Sequence, residues 1–107
     1  MEQLGNIILN FEALVDEGVG TPIPFTLRIS EPQFEEDGTA YCRIDCPYLR
    51  AKPFLIFGVD EEQSIELAIT FVRKSIDAKN AKLTDENGAE TAIPEIDTKG
   101  FKFGKEP

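Results

Sequence analysis

Cysteines and clustered carboxylates are the side chains in this sequence whose types could support chemistry. Cys42 and Cys46 are separated by three residues, and the chain has no third cysteine and no histidine. In an extended strand their Cα atoms would lie about 13 Å apart, whereas a disulfide needs about 7 Å or less. A tetrahedral zinc site would lack two of its four ligands. We therefore expect two reduced thiols that fill the core, with burial raising the pKa of each and limiting any nucleophilic role.

Two acidic clusters are the other candidates for chemistry. One is Glu35-Glu36-Asp37 and the other is Asp60-Glu61-Glu62. Neither has the spacing of a calcium-binding loop, and a solvated turn and a helix start account for them. Because histidine is absent and the glycines form no phosphate-binding loop, the sequence predicts no catalytic, cofactor-binding or metal-ligating residue. We expect a protein that is not an enzyme and has no cofactor.

The charge balance indicates which partners the chain could bind. Asp and Glu outnumber Lys and Arg by 20 to 11, which gives a net charge of −9. A general nucleic-acid binder needs the opposite sign, so nucleic acid is excluded and a basic protein is the expected partner. The alternative is that the charge only keeps the chain soluble. The carboxylates expected to face a partner are Glu31, Glu35, Glu36, Asp37 and Asp45.

Two classes of function remain open at this point. The first is a non-enzymatic protein–protein interaction module, whose sharper form is an immunity or inhibitor-type protein that neutralises a basic toxin or nuclease. The second is a small-molecule-binding or enzymatic domain with a pocket between helix and sheet. Small size, acidic charge and the lack of catalytic groups favour the first class.

The compartment follows from what the sequence lacks. The first five residues show neither a basic region nor a long apolar segment, so we expect no signal peptide. The longest strongly apolar run, residues 53–59, is far shorter than the roughly 20 residues of a membrane span. Two cysteines are too few for a disulfide scaffold. We therefore expect a cytoplasmic protein with no membrane association.

Alternation of apolar and polar residues predicts a series of antiparallel strands. Residues 6–16 and 23–30 alternate, and residues 39–46 place Cys42, Ile44 and Cys46 on one face. The stretch around Glu35-Glu36-Asp37-Gly38 reads as a turn between strands. Residues 54–59 are apolar on both faces, which predicts either a central strand covered on both sides or a strand with one face covered by a partner.

The strongest pattern predicts a helix that begins after Asp60. Asp60 is a good N-cap, Gln63 completes a capping box, and Asn80 marks the C-terminal end. Asn87-Gly88 within residues 83–93 favours a two-residue type I′ hairpin, with a plain loop as the alternative. We predict one α+β domain over residues 1–107: about four antiparallel strands in a meander, one long helix packed on them, and a C-terminal hairpin or extended segment.

The uncharged arc of this helix spans about 200°, wider than the roughly 100° that one sheet covers. The surplus lies at Leu67 and Phe71. We expect the C-terminal segment with Ile93, Ile96, Phe101 and Phe103 to fold over this flank; the alternative is that a second copy covers it, so the chain is a monomer or a homodimer.

Part of the sequence resembles an uncharacterised family of small bacterial domains. The resemblance rests on Cys46-Pro47 at a strand end, on Gly58-Val59-Asp60 with Gln63 at the helix start, and on Gly100-Phe101 near the C-terminus. Residues 40–103 carry it, and Ser64 departs from the alanine that is more common in the family. The resemblance implies the architecture and a bacterial, intracellular setting, and it implies no activity.

Overall fold

The computed structural model describes residues 6–96, and the described elements are six strands and one helix. They are β1 (Ile7–Asp16), β2 (Ile23–Ser30), β3 (Gln33–Phe34), β4 (Ala40–Asp45), β5 (Phe54–Gly58), α1 (Glu61–Ala78) and β6 (Lys82–Thr84).

All strand pairs in the sheet are antiparallel. β4 pairs with β5 on one side and with β2 and the short β3 on the other, and β2 in turn pairs with β1. After the helix, β6 returns to the opposite side of the sheet and pairs with β1. The predicted α+β fold is therefore confirmed: β1, β2, β4 and β5 form the four-stranded meander, to which β3 and β6 are added.

The position of β5 differs from the central strand that its composition suggested. Among residues 6–96, β5 pairs with β4 alone and lies at the edge of the sheet. Its inward residues Phe54 and Ile56 pack toward the core, whereas Leu55 and Phe57 are exposed on the outer face. One apolar face of β5 is therefore covered by the core and the other is exposed. The prediction of a central strand covered on both sides is wrong.

The core lies between α1 and one face of the sheet. Alternate residues of the strands contribute Phe25, Leu27 and Ile29 from β2 and Cys42 and Ile44 from β4. The helix contributes a buried stripe, which consists of Glu61, Ser64, Ile65, Ala68, Ile69, Val72 and Ile76. These positions recur every three or four residues, the spacing that places side chains on one side of a helix.

Both ends of α1 are capped as the sequence predicts. The Asp60 side chain accepts a hydrogen bond from the Gln63 backbone N–H at 2.8 Å, and the Gln63 side chain accepts one from the Val59 N–H at 2.8 Å. At the C-terminal end Asn80 has φ 55°, in the left-handed region. The N–H groups of Asn80 and Ala81 bond to the carbonyls of Asp77 and Ile76, which is the Schellman arrangement.

The hairpin predicted within residues 83–93 is present, but its turn differs from the prediction. A type I′ turn needs positive φ at both central residues, and here Gly88 has φ 86° while Asn87 does not share the positive region. The loop instead spans Asp85 to Ala89, with Thr84 bridged to Glu90. The Asp85 carboxylate accepts the N–H groups of Asn87 and Ala89, which selects this longer loop.

The segment after the hairpin lies on α1, on a different flank from the predicted one. Ile93 is buried, and the Arg73 guanidinium donates to its carbonyl at 2.9 Å. Ile96 also packs on the core, near Ile69. The segment therefore covers the side of α1 opposite Leu67 and Phe71. The prediction that it covers Leu67 and Phe71 is corrected to that extent, and Phe101 and Phe103 lie outside the described residues.

The Phe71 flank of the helix is covered by another part of the chain. The Phe71 ring meets the Phe54 ring of β5 edge to face, with 5.5 Å between centroids. The Arg50 guanidinium lies 4.6 Å from the Phe54 centroid and 5.9 Å from that of Phe71. Leu67, one turn earlier, is 42% exposed. Phe71 is therefore covered by β5 and by the β4–β5 connection.

Candidate functional site

The loop between β3 and β4 holds the first acidic cluster in a fixed conformation. The Glu35 N–H donates to the Thr39 carbonyl at 2.9 Å, and the Gly38 N–H donates to the Glu35 carbonyl at 2.9 Å. Gly38 has φ 91°, a value that glycine adopts without strain. This is a type I turn followed by a left-handed glycine, a common three-residue hairpin loop. We call residues 35–39 the acidic loop.

Asp37 both shapes this loop and contributes charge to it. Its carboxylate accepts the backbone N–H of Thr39 at 2.9 Å. That hydrogen bond, with a further one from the Thr39 side chain, holds the pKa of Asp37 below its usual value. Asp37 is therefore ionised at neutral pH, beside the exposed Glu35 and Glu36.

Strand register brings the two acidic clusters to the same end of the molecule. Phe34 pairs with Ala40, and Ala40 pairs with Gly58 on its other side. Because neighbouring strands are about 4.8 Å apart, the end of β3 and the end of β5 lie about 10 Å from each other. The acidic loop and the helix start at Asp60 follow directly from these strand ends. The acidic end, as we call it, comprises Phe34, Glu35, Glu36, Asp37, Val59, Asp60 and Glu62.

Two exposed apolar residues distinguish the acidic end from a plain solvated surface. Val59 is 78% exposed between β5 and α1, and Phe34 is 43% exposed at the end of β3. Sequence reasoning missed both. The only signal for them was an apolar residue directly beside a turn or helix cap, which is too common to single out a site.

The structure does not bring all five predicted partner-binding carboxylates together. Glu35, Glu36 and Asp37 share the acidic loop, but Asp45 lies at the opposite end of β4. Its carboxylate is 3.7 Å from the Arg28 guanidinium, its direct cross-strand neighbour, so Asp45 lies beside a positive charge and away from the other carboxylates. Glu31 follows β2, is half-buried, and donates its N–H to the Asn6 carbonyl at 2.7 Å. Three of the five residues therefore form one surface.

Both thiols are free and buried, as predicted. The Cys42 Sγ lies 3.4 Å from the Ser64 Oγ, and that hydroxyl donates to the Glu61 carbonyl at 2.8 Å. Burial raises the pKa of Cys42 and of Cys46. A thiol that is buried and protonated is a poor nucleophile, so these residues serve packing.

A groove beside the helix is the structure's counterpart to the predicted small-molecule pocket. It has a volume of about 280 Å³ and lies between the second half of α1 and residues 90–93. Arg73, which lines it, already donates to the Ile93 carbonyl. Within residues 6–96 no group of three metal-ligating side chains comes together. The described helix is neither long enough nor apolar enough to cross a membrane.

Comparisons with known proteins add no further constraint. No protein family matches the chain. No curated protein matches it. No solved structure matches it. The resemblance to a family of small bacterial domains therefore stays a prediction.

Proposed function

We propose that this chain is a non-enzymatic protein-binding module of the bacterial cytoplasm, and that it recognises a basic protein at its acidic end. The observation that carries the proposal is the exposure of Val59 and Phe34 among the carboxylates of the acidic loop and the helix start. Exposed apolar side chains rimmed by charge are typical of protein interaction sites.

The two kinds of residue contribute to binding in different ways. Burial of an exposed valine or phenylalanine against a partner supplies affinity, at about 1.5–3 kcal/mol for a fully buried side chain. Carboxylates around it speed the approach of a basic partner and disfavour acidic ones. The acidic loop is held by backbone hydrogen bonds, so little conformational entropy is lost when a partner binds it.

The chain supplies its own matched control for a test. Residues 85–89 form the same loop as residues 35–39, with the same two backbone hydrogen bonds and with Gly88 in place of Gly38. Glu36 and Glu86 occupy equivalent, exposed positions in the two loops. Glu36→Lys and Glu86→Lys therefore change the net charge equally, in the same local geometry, at different places on the surface.

The experiment is affinity capture from source cells with the wild type and both variants, followed by association kinetics with the captured protein. We expect a basic protein to bind the wild type and the Glu86→Lys variant. With the Glu36→Lys variant its association rate should fall several-fold, and the wild-type rate should fall with added salt. If the partner is a toxin or nuclease, stoichiometric addition of the chain should abolish its activity. Equal rates for the two variants, or a salt-independent rate, would contradict the proposal.

A further inference from the structure

The outer edge of β5 is open within residues 6–96. β5 pairs with β4 through residues 54–58 and has no second strand beside it there. An open strand edge presents backbone N–H and C=O groups that can pair with another strand. At the opposite side of the sheet, β6 pairs with β1 at residues 14–16, and β6 is itself bridged to Glu90. One end of β1 is therefore covered, whereas within residues 6–96 no part of β5 has a second strand beside it.

Exposed apolar side chains lie on both sides of this open edge. On the outer face of the sheet, Leu55 is 41% exposed and Phe57 is 44% exposed. On the helix side, Leu67 is exposed on the flank of α1 that packs against β5 through Phe71 and Phe54. A protected edge strand usually carries lysine or proline instead. Here Lys52 and Pro53 stand just before the strand, and residues 54–58 carry no charge.

We propose that a second copy of this chain pairs with β5, antiparallel, about a two-fold axis at Ile56. In that register Leu55 of one copy lies directly opposite Phe57 of the other, on the same outer face. The pairing is self-complementary, as a two-fold interface requires, because the same contact forms twice. It also brings Leu67 of each copy toward the interface on the helix side.

Charge complementarity supports the pairing of β5 with a second copy of the chain in this register. The chain before β5 is basic at Lys52, and the chain after it is acidic at Asp60, both exposed. Lys52 and Asp60 lie two residues outside the two ends of β5, so antiparallel pairing about Ile56 brings the Lys52 end of each copy beside the Asp60 end of the other. A parallel pairing would put lysine beside lysine and aspartate beside aspartate. Local attraction at two sites thus opposes the repulsion between two chains that each carry a net charge of −9.

Cross-linking can test the register directly. The Leu55→Cys and Phe57→Cys variants place thiols that would be directly opposite in a mixed dimer, with Cα atoms about 4.5–5.5 Å apart. In a dimer of either single variant the introduced cysteines are diagonal neighbours at about 7–8 Å, beyond the usual disulfide range. We expect the oxidised mixture to form cross-linked dimers faster than either variant alone. The native Cys42 and Cys46 are buried and do not compete.

Sedimentation of the full chain tests whether the chain forms a dimer through the edge of β5. The wild type should sediment at twice its 11.9 kDa mass, and Leu55→Asp should sediment as a folded monomer with an unchanged circular dichroism spectrum. Ile7→Asp is the matched control, because Ile7 is 39% exposed on the far strand and should leave the dimer intact. Glu36→Lys should also leave the dimer intact. The dimer can therefore be tested independently of whether a basic protein binds the acidic end.

Two results would overturn the proposal. One is a wild-type monomer at chain concentrations as high as about 1 mM, where even a very weak association is populated. The other is a mixture of the two cysteine variants that cross-links no faster than either variant alone.

Discussion

Gly58 is a residue at which sheet and helix come into very close contact. A Cβ atom built there would lie 2.6 Å from the backbone nitrogen of Ser64 and 2.9 Å from its Cα. Both atoms belong to the helix backbone, so neither can move aside without shifting the first turn of α1. This approach brings the Ser64 hydroxyl to the Cys42 thiol. A single missing side chain thus sets the height of the helix above β4 and β5.

Replacing Gly58 should therefore cost stability out of proportion to the change in size. We expect Gly58→Ala to lower the free energy of unfolding by about 1–3 kcal/mol, the usual range for overpacking a core. Urea denaturation followed by circular dichroism measures this. Val59→Ala, at the exposed neighbouring position, should change it by less than about 0.5 kcal/mol. Equal effects at both positions would mean that the helix can move.

Tyr48 gives the molecule a pH dependence in the alkaline range. Its hydroxyl donates to the Glu17 carboxylate, and its ring meets Phe25 at 6.0 Å with Lys79 on another side. Burial, together with the bond to Glu17, raises the pKa of Tyr48 to about 12. The protonated Tyr48 hydroxyl therefore contributes its full stabilisation of the folded state below pH about 10, the pKa of tyrosine in the unfolded chain. This contribution is lost as the pH rises from about 10 to about 12.

Tyrosinate absorbance can follow this titration residue by residue, because the chain has two tyrosines. We expect a phase near pH 12 that Tyr48→Phe removes and Tyr41→Phe leaves in place. Tyr48→Phe should also flatten the loss of stability between pH 10 and 12. If the late phase persists in Tyr48→Phe, the bond to Glu17 does not control it.

At the scale of elements, residues 91–96 cover one flank of α1. Ile93 is buried against α1 and β6, although the segment around it has no regular secondary structure. Its attachment consists of the Ile93 side chain, the bond from Arg73 and the bond from the Thr91 N–H to the Leu83 carbonyl at 2.9 Å.

Truncation of that side chain should weaken the fold as a core substitution would. We expect Ile93→Ala to lower the free energy of unfolding by about 2–5 kcal/mol. Ile96→Ala, three residues later and only half-buried, should cost clearly less. Thermal or urea denaturation of both variants gives the comparison, and two small effects would show that the segment does not pack on α1 in solution.

Local patterns in the sequence were enough to predict the strands and the helix, but they did not predict which distant strands pair. Alternation around Phe25 and Ile44 and the capping pair Asp60 and Gln63 each act within a few residues, so the strands and the helix could be predicted. Whether β5 lies at the centre or the edge depends on what pairs with its far side. The acidic end likewise depends on the register of Ala40 with Phe34 and Gly58, which no local pattern specifies.

At the scale of the whole molecule, charge is the dominant feature. A net charge of −9 on 107 residues produces mutual repulsion, and the acidic end brings five of the carboxylates to one end of the molecule. This repulsion opposes the compact state. The distance over which it acts depends on salt, because the screening length falls from about 30 Å at an ionic strength of 0.01 M to about 8 Å at 0.15 M.

Salt should therefore stabilise the protein. We expect the urea midpoint to rise between about 0.01 M and 0.15 M sodium chloride. The rise should be smaller for the Glu35→Gln/Glu36→Gln double variant, whereas Glu86→Gln in the matching loop should leave it nearly unchanged. A midpoint independent of salt in the wild type would show that the carboxylates are spaced too widely to repel.

The pairing of β1 with β6 has a consequence for how the molecule folds. Leu14 pairs with Thr84, so most of the chain lies between the two partners. Such distant contacts are formed late and slow the folding rate, because a long loop must close before they contribute. During synthesis from the N-terminus, β1 can pair with β2 long before β6 exists. Until β6 is synthesised, the end of β1 at residues 14–16 is open to pairing with other nascent chains.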